Sequence, residues 1–153
     1  MYSGAQRVCC FSVKMRSIHK IIIHCSASPE GVHYDVEDIR NWHLARGFSD
    51  VGYHFVITID GLVQPGRSLD QQGAHTRSHN GDSIGICYIG GVEATRERKP
   101  KDTMTADQER ALGKLIKGLR IVLGKELTLY GHNEFSKKAC PSFIVSQRLP
   151  WLL

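Results

Sequence analysis

His132 and Cys140, an imidazole and a thiol eight residues apart, are the pair in this sequence best suited to holding a metal. Imidazole and thiolate are preferred ligands of Zn²⁺, and a catalytic zinc takes three protein ligands while keeping one position for water. The same stretch, Gly131 to Phe143, carries Lys138 two residues before the thiol and Pro141 directly after it. The spacing is too long for one helical turn and too irregular for a zinc finger, so a third ligand has to come from far away in the chain. Among the other histidines, His24 ends the run His19-Lys20-Ile21-Ile22-Ile23, just as His132 follows Leu127-Thr128-Leu129-Tyr130. Two strand ends can present both rings at one edge of a sheet. His33, His43 and His54 read as packing or hydrogen-bonding residues. His75 and His79 lie in a polar loop and stay open as candidates.

The elements that must position these groups follow from pattern. His19 to His24 reads as a buried strand, closed by the turn-rich Cys25 to Gly31. Asp35 opens a helical pattern with Val36, Ile39 and Trp42-His43 at helical spacing and Gly47 as its cap. Val51 to Gly61 reads as a hairpin arm, with Tyr53, Phe55, Ile57 and Ile59 on one face, Asp60-Gly61 as the turn and Leu62-Val63-Gln64 as the return. Gly73 to Gly81 reads as loop, Ser83 to Ile89 as a strand and residues 92–104 as an exposed connection. Thr105 and Gln108 form a capping box for a helix whose stripe is Leu112, Leu115, Ile116, Leu119, Val122 and Leu123, stopped by Gly124. Phe143 to Leu149 fits a short helix. This order predicts a single α/β (α+β) domain with helices packed on a sheet.

Composition sets the outer bounds. At 153 residues, with 41% hydrophobic and 23% charged content, one soluble globular domain is expected. A net charge of +5 favours an anionic partner, although the basic stretch Arg96 to Lys101 reads as a solvated loop. Five cysteines without regular spacing argue against a disulfide framework and for synthesis in a reducing compartment. Cys87 reads as a small buried hydrophobe. The Cys9-Cys10 pair invites a lipid anchor, but the apolar stretch Val8 to Val13 is too short for a signal-peptide core. No window is long enough for a transmembrane helix, and no nucleic-acid-binding motif is present. Residues 1–17 are expected to form a poorly ordered N-terminal extension and residues 18–153 the domain.

Five short pieces then carry a resemblance: Ile23-His24-Cys25-Ser26-Ala27, Gly52-Tyr53-His54-Phe55, Gly73-Ala74-His75, Asn80 to Ile86, and Gly131-His132 through Lys138-Ala139-Cys140-Pro141-Ser142-Phe143. In this order the chain resembles the zinc-dependent N-acetylmuramoyl-L-alanine amidases of the bacteriophage T7 lysozyme type, a fold shared with peptidoglycan recognition proteins. The resemblance runs from Ile18 to Leu149. It implies a central mixed β-sheet flanked by helices, with zinc at the bottom of a groove. It implies that His24, His132 and Cys140 are zinc ligands, that Tyr53 and Lys138 flank the metal as catalytic residues, and that His75 lies near the substrate cleft as a binding residue.

The implied reaction is hydrolysis of the amide between N-acetylmuramic acid and the L-alanine of the peptidoglycan stem peptide. Either Lys138 or Tyr53 suits the oxyanion, and Tyr53 also suits a proton relay or general base; the sequence does not divide these roles. Without the resemblance, Tyr53 reads as a strand aromatic and Lys138 as a surface charge. A recognition module that binds peptidoglycan without cutting it is the alternative, and a structural zinc domain contacting nucleic acid a more distant one. Cys140 distinguishes the chain from non-catalytic recognition proteins, which typically lack that ligand. A monomer, made in the cytoplasm without a signal peptide and acting on the wall after release, fits a phage or prophage endolysin; a bacterial wall-remodelling amidase is the other setting.

Overall fold

Two strands, β1 (Lys20–Cys25) and β5 (Ser83–Tyr88), run parallel through the middle of the sheet, and nearly every residue in them is buried. The computed structural model describes residues 15–153. Strands covered on both faces read as continuous apolar runs, which is why Ile21-Ile22-Ile23 and Ile84 to Tyr88 lack polar alternation. Between them in the chain come β2 (Ser28–Pro29), helix α1 (Val36–Ala45) and the hairpin of β3 (Phe55–Ile57) and β4 (Val63–Pro65). After β5 follow β6 (Gly91–Val92), α2 (Ala106–Leu123), β7 (Thr128–Gly131), a 3-10 turn (His132–Glu134), α3 (Val145–Arg148) and a second 3-10 turn, Pro150–Leu152. The five-stranded sheet has the order β4-β3-β5-β1-β7 and is mixed, because β4 alone runs antiparallel to its neighbour.

The two faces carry different layers. Ile21, Ile23, Ile84, Ile86 and Tyr88 pack against Leu112, Ile116 and Leu119 of α2 and Val145 of α3. The opposite face meets α1 through Val36, Ile39, Val51, Val56, Cys87 and Ile89. Since side chains alternate along a strand, His24 points to the α1 side, away from the large core. Each fully buried aliphatic side chain contributes roughly 1.5–3 kcal/mol, so the frame under His24 is firm.

Both long helices start with reciprocal capping boxes, Asp35 with Asp38 and Thr105 with Gln108. Gly124 ends α2 in the left-handed conformation, at φ 63°. Gln108 does more than cap. It is fully buried, and its Nε2 donates to the carbonyls of Ile57 and Ile89, clamping the helix start to the ends of β3 and β5.

Several expectations need correction. Trp42 is 38% exposed and packs edge-on against Tyr34, because it lies about 90° around the helix from the Val36, Ile39 and His43 face. Val122, at the edge of the α2 stripe, is 77% exposed. Phe55 and Ile57 belong to the large core, whereas Tyr53 and Ile59 pack with the α1 layer. Regular strand geometry spans only Phe55–Ile57, so alternation does not extend to Tyr53 or Ile59. Residues 92–104 are not wholly exposed: Val92 and Met104 are buried, and Val92 bridges to Pro100. Arg16, expected to belong to the extension, is tied to the fold by donating to the carbonyls of Leu69, Asn80, Gly81 and Ser83. Residues 1–14, with Cys9 and Cys10, lie outside the described residues. Among the described residues, no helix is long and apolar enough to cross a membrane.

Candidate metal centre

His24 is the fifth residue of β1 and is buried; β7, alongside β1 in register from Lys20↔Thr128 to Ile23↔Gly131, delivers His132 to the same sheet edge. The two rings stand 4.6 Å apart between centroids. Cys140 arrives on the following loop, where its Sγ accepts the Cys25 N–H at 3.2 Å and lies 3.7 Å from His24 Nδ1. That loop is pinned directly after Cys140. The Tyr88 hydroxyl donates to the Pro141 carbonyl, Ser142 Oγ to the Gly91 carbonyl, and Asn133 Nδ2 to the Phe143 carbonyl.

One ligand atom from each of His24, His132 and Cys140 lies within 4.8 Å of the others, and this is the grouping of that kind found among the described residues. Arms of about 2.0 Å to nitrogen and 2.3 Å to sulfur at a tetrahedral angle span about 3.5 Å, against 3.7 Å between Nδ1 and Sγ. Burial, then the neighbouring His75, His132 and Lys138 charges, hold the His24 imidazole well below its ordinary pKa. Burial and then Lys138 lower His132 in the same way. Both rings are therefore neutral near pH 7, the form that ligates metal. The proximity of the two thiols lowers Cys25 to about 7 and raises Cys140. The pair thus holds one negative charge readily and a second with difficulty. Two neutral imidazoles and a thiol at this separation fit a zinc ion, whose own charge deprotonates a coordinating thiol.

His132 and Cys140 line a groove of about 570 Å³, together with Tyr53, His75, Arg46, Arg77 and Lys138 among others, while His24 is buried against them. Its charged residues are all cations, with no carboxylate in the lining. Tyr53 leans on His24 with 5.1 Å between ring centroids and on His43 at 5.4 Å. Burial, then the Cys87, Cys140 and Cys25 thiols, push its phenol well above the usual value, so it stays protonated. Lys138 is exposed on the groove rim. His75 lies behind His24, its Nδ1 2.9 Å from His24 Nε2. Burial lowers its pKa to about 3, ahead of the charges of His54 and His132.

The remaining histidines lie outside the His24, His132 and Cys140 grouping, although His43 lines the groove. His79 stacks on Phe135, with ring centroids 4.1 Å apart. His54 Nδ1 accepts the Gly85 N–H, and His43 Nδ1 accepts the Gly52 N–H, both in the packing role expected of them. Cys87 is fully buried. Composition and spacing do not reveal Thr76, Asn80 and Ser83, whose side chains build the His75 wall; Asn80 and Ser83 fall within the Asn80 to Ile86 piece, and Thr76 directly follows the Gly73 to His75 piece. A larger cavity of about 680 Å³ lies elsewhere, between α2 and the β3–β4 hairpin. Val63, Leu69, Leu115 and Leu119 line it, and it gathers neither imidazole nor thiol, so the chemistry belongs to the groove.

The pattern of the N-acetylmuramoyl-L-alanine amidase family matches residues 14–143, and the chain belongs to that family. It is 38% identical over 130 residues to the endolysin of Klebsiella phage KP32, covering 85% of this chain and 84% of that protein. The endolysin of Escherichia phage T7 is 38% identical over 127 residues, covering 83% and 82%. In structure the chain is similar to Drosophila PGRP-LB, with a TM-score of 0.69 at 27% identity over 88% of this chain and 82% of that one. It shares its fold with the Clostridium intestinale amidase LysC, with a TM-score of 0.71 at 24% identity over 88% and 87%.

Proposed function

We propose that this chain is a zinc-dependent peptidoglycan amidase that hydrolyses the bond between N-acetylmuramic acid and the stem L-alanine. The observation that carries the reading is the convergence of His24, His132 and Cys140 within 4.8 Å, the last two opening into a groove whose charged lining, among the described residues, is all positive. His24 Nδ1, one nitrogen of His132 and Cys140 Sγ would hold the ion. Zinc held there supplies a water of pKa about 7 and an electrophile for the scissile carbonyl.

The chain's own groups then divide the remaining work. Lys138 brings an ammonium to the groove rim, where it donates to the oxyanion that develops as water adds to the carbonyl. Tyr53, kept as a phenol by burial, donates a hydrogen bond and orients the reacting amide; a group so hard to ionise is a poor general base. Arg46 and Arg77 give the groove walls the sign that suits the carboxylates of a stem peptide. The similarity to phage endolysins supports a role in opening the cell wall from a phage or prophage gene.

The deciding experiment incubates zinc-loaded protein with purified peptidoglycan and analyses the soluble products. Cleavage frees a stem peptide with an L-alanine amino terminus and leaves the lactyl carboxyl on the sugar. A chelator should abolish release and added zinc restore it. Wall binding with no released peptide would instead make the chain a recognition module.

A further inference from the structure

We infer that Ser83 and His75 form a one-way hydrogen-bond chain that fixes His24 in the tautomer with its Nδ1 free, making His75 a positioning residue for the metal ligand; this rests on the metal reading of the site. Ser83 sets the direction, because its partner's role cannot vary. Ser83 Oγ lies 2.6 Å from the carbonyl oxygen of His79, which can only accept, so the hydroxyl proton points there. Ser83 Oγ is thereby left as an acceptor towards His75 Nε2, 3.4 Å away. A neutral imidazole carries one proton. With that proton on Nε2, His75 Nδ1 presents a lone pair to its neighbours, and His24 Nε2 is 2.9 Å from it.

His24 Nε2 therefore donates, and the ring's lone pair sits on Nδ1, the atom 3.7 Å from Cys140 Sγ. Thr76 Oγ1 provides a parallel branch of the same polarity. It lies 3.3 Å from His24 Nε2 and 3.0 Å from His75 Nδ1, so it can accept from the first and donate to the second. In either branch His75 Nδ1 accepts and His24 Nε2 gives.

The His75 ring is built into this position. Asn80 Oδ1 accepts the backbone N–H groups of both His75 and Thr76 at 2.8 Å, tying the loop down. Gly85 of β5 lies under the ring, and a Cβ there would meet three His75 ring atoms at 2.5–2.7 Å. Only a residue without a side chain lets the imidazole approach the strand so closely. Ser83 and Gly85 project from the same face of β5 as His24 does from β1, in the register Lys20↔Ser83 and Ile22↔Gly85. A ligand's outer hydrogen bond orients its ring and raises its basicity, and loss of such a partner typically costs roughly 10–100-fold in metal affinity.

The test uses nitrogen-15 NMR and chelator-competition titration on the full chain. Long-range proton–nitrogen correlation on the zinc-loaded wild type should show both His24 and His75 protonated on Nε2. Ser83→Ala lies off the groove lining and His75→Phe fills the same space; each should weaken zinc binding roughly 10–100-fold. Tight zinc binding with His75 protonated on Nδ1 would overturn the hydrogen-bond chain while leaving the amidase reading intact. The hydrogen-bond chain is equally overturned if both variants hold zinc within about twofold of wild type while His75→Phe loses muropeptide binding, which makes His75 a substrate contact. A wild type that binds no zinc would overturn the metal reading itself, and this inference with it. The wild-type tautomers decide the question even if a variant fails to fold.

Discussion

Replacing Cys140 with serine removes the one anionic group of the proposed triad while changing little volume. Cys140 Sγ lies 3.7 Å from His24 Nδ1 and accepts the Cys25 N–H. A serine oxygen on a shorter bond sits farther from the metal position, and its hydroxyl does not ionise near neutral pH. Four-ligand structural zinc sites bind with about 10–16 kcal/mol, so one thiolate contributes on the order of 3–4 kcal/mol. The expected loss is roughly 10²–10³-fold in zinc affinity. Dissociation constants from chelator competition should show this loss, and the dialysed variant should hold almost no metal. Peptide release from peptidoglycan should fall with zinc occupancy. Cys140→Asp, which returns an anionic ligand, should recover part of the affinity. Wild-type zinc affinity in Cys140→Ser, or full amidase activity in a metal-free variant, would refute the assignment of Cys140 to the metal.

Four other outcomes follow from the same geometry. Lys138→Met should lower the turnover number roughly 10²–10³-fold, the usual range for a lost oxyanion donor, with zinc content unchanged by elemental analysis. Tyr53→Phe should cut turnover while keeping both zinc affinity and the shape of the pH–rate profile, because a protonated phenol contributes no titration; a vanished limb of the profile would make Tyr53 the base. Gln108→Leu leaves the Ile89 carbonyl without its Gln108 donor, while the Ile57 carbonyl keeps the Ile89 N–H, and should cost about 2 kcal/mol, read from the urea midpoint. His54 is held down to about 4, mainly by burial, against an ordinary value of 6.5. The unfolded chain therefore binds more protons between these values, and stability present above pH 6.5 drains away as pH falls towards 4. His54 alone gives about 2 kcal/mol of loss by about pH 5, and metal-free protein with equal urea midpoints at about pH 7 and about pH 5 would contradict this.

The outline of the fold was legible wherever one physical signal dominated. Ile21-Ile22-Ile23 and Ile84 to Tyr88 have no polar interruption because they lie in the middle of a covered sheet. The two capping boxes announce their helices because side chain and backbone satisfy each other locally. What failed were inferences that stretched a period past its element: Trp42 and Val122 at the edges of helical stripes, and Tyr53 beyond the end of β3. Nothing local in the sequence marks the step at which a strand stops or a stripe rolls out of the core.

The candidate site shows the same division. His132 and Cys140 share one loop, so their spacing is visible; His24 is more than a hundred residues away and joins them only because β1 and β7 are neighbours. The polarity of the hydrogen bonds behind His24 is a property of the assembled sheet. Ser83, Gly85 and Asn80 reach His24 through His75, and each looks unremarkable in the chain. Residue types thus reveal which groups can hold a metal, while under the proposed hydrogen-bond chain the packing between β1, β5 and the Gly73 to Gly81 loop leaves His24 Nδ1 free for one. A substitution at Ser83, which is outside the groove lining, is for that reason a sharper probe of the proposed centre than one at His24, His132 or Cys140.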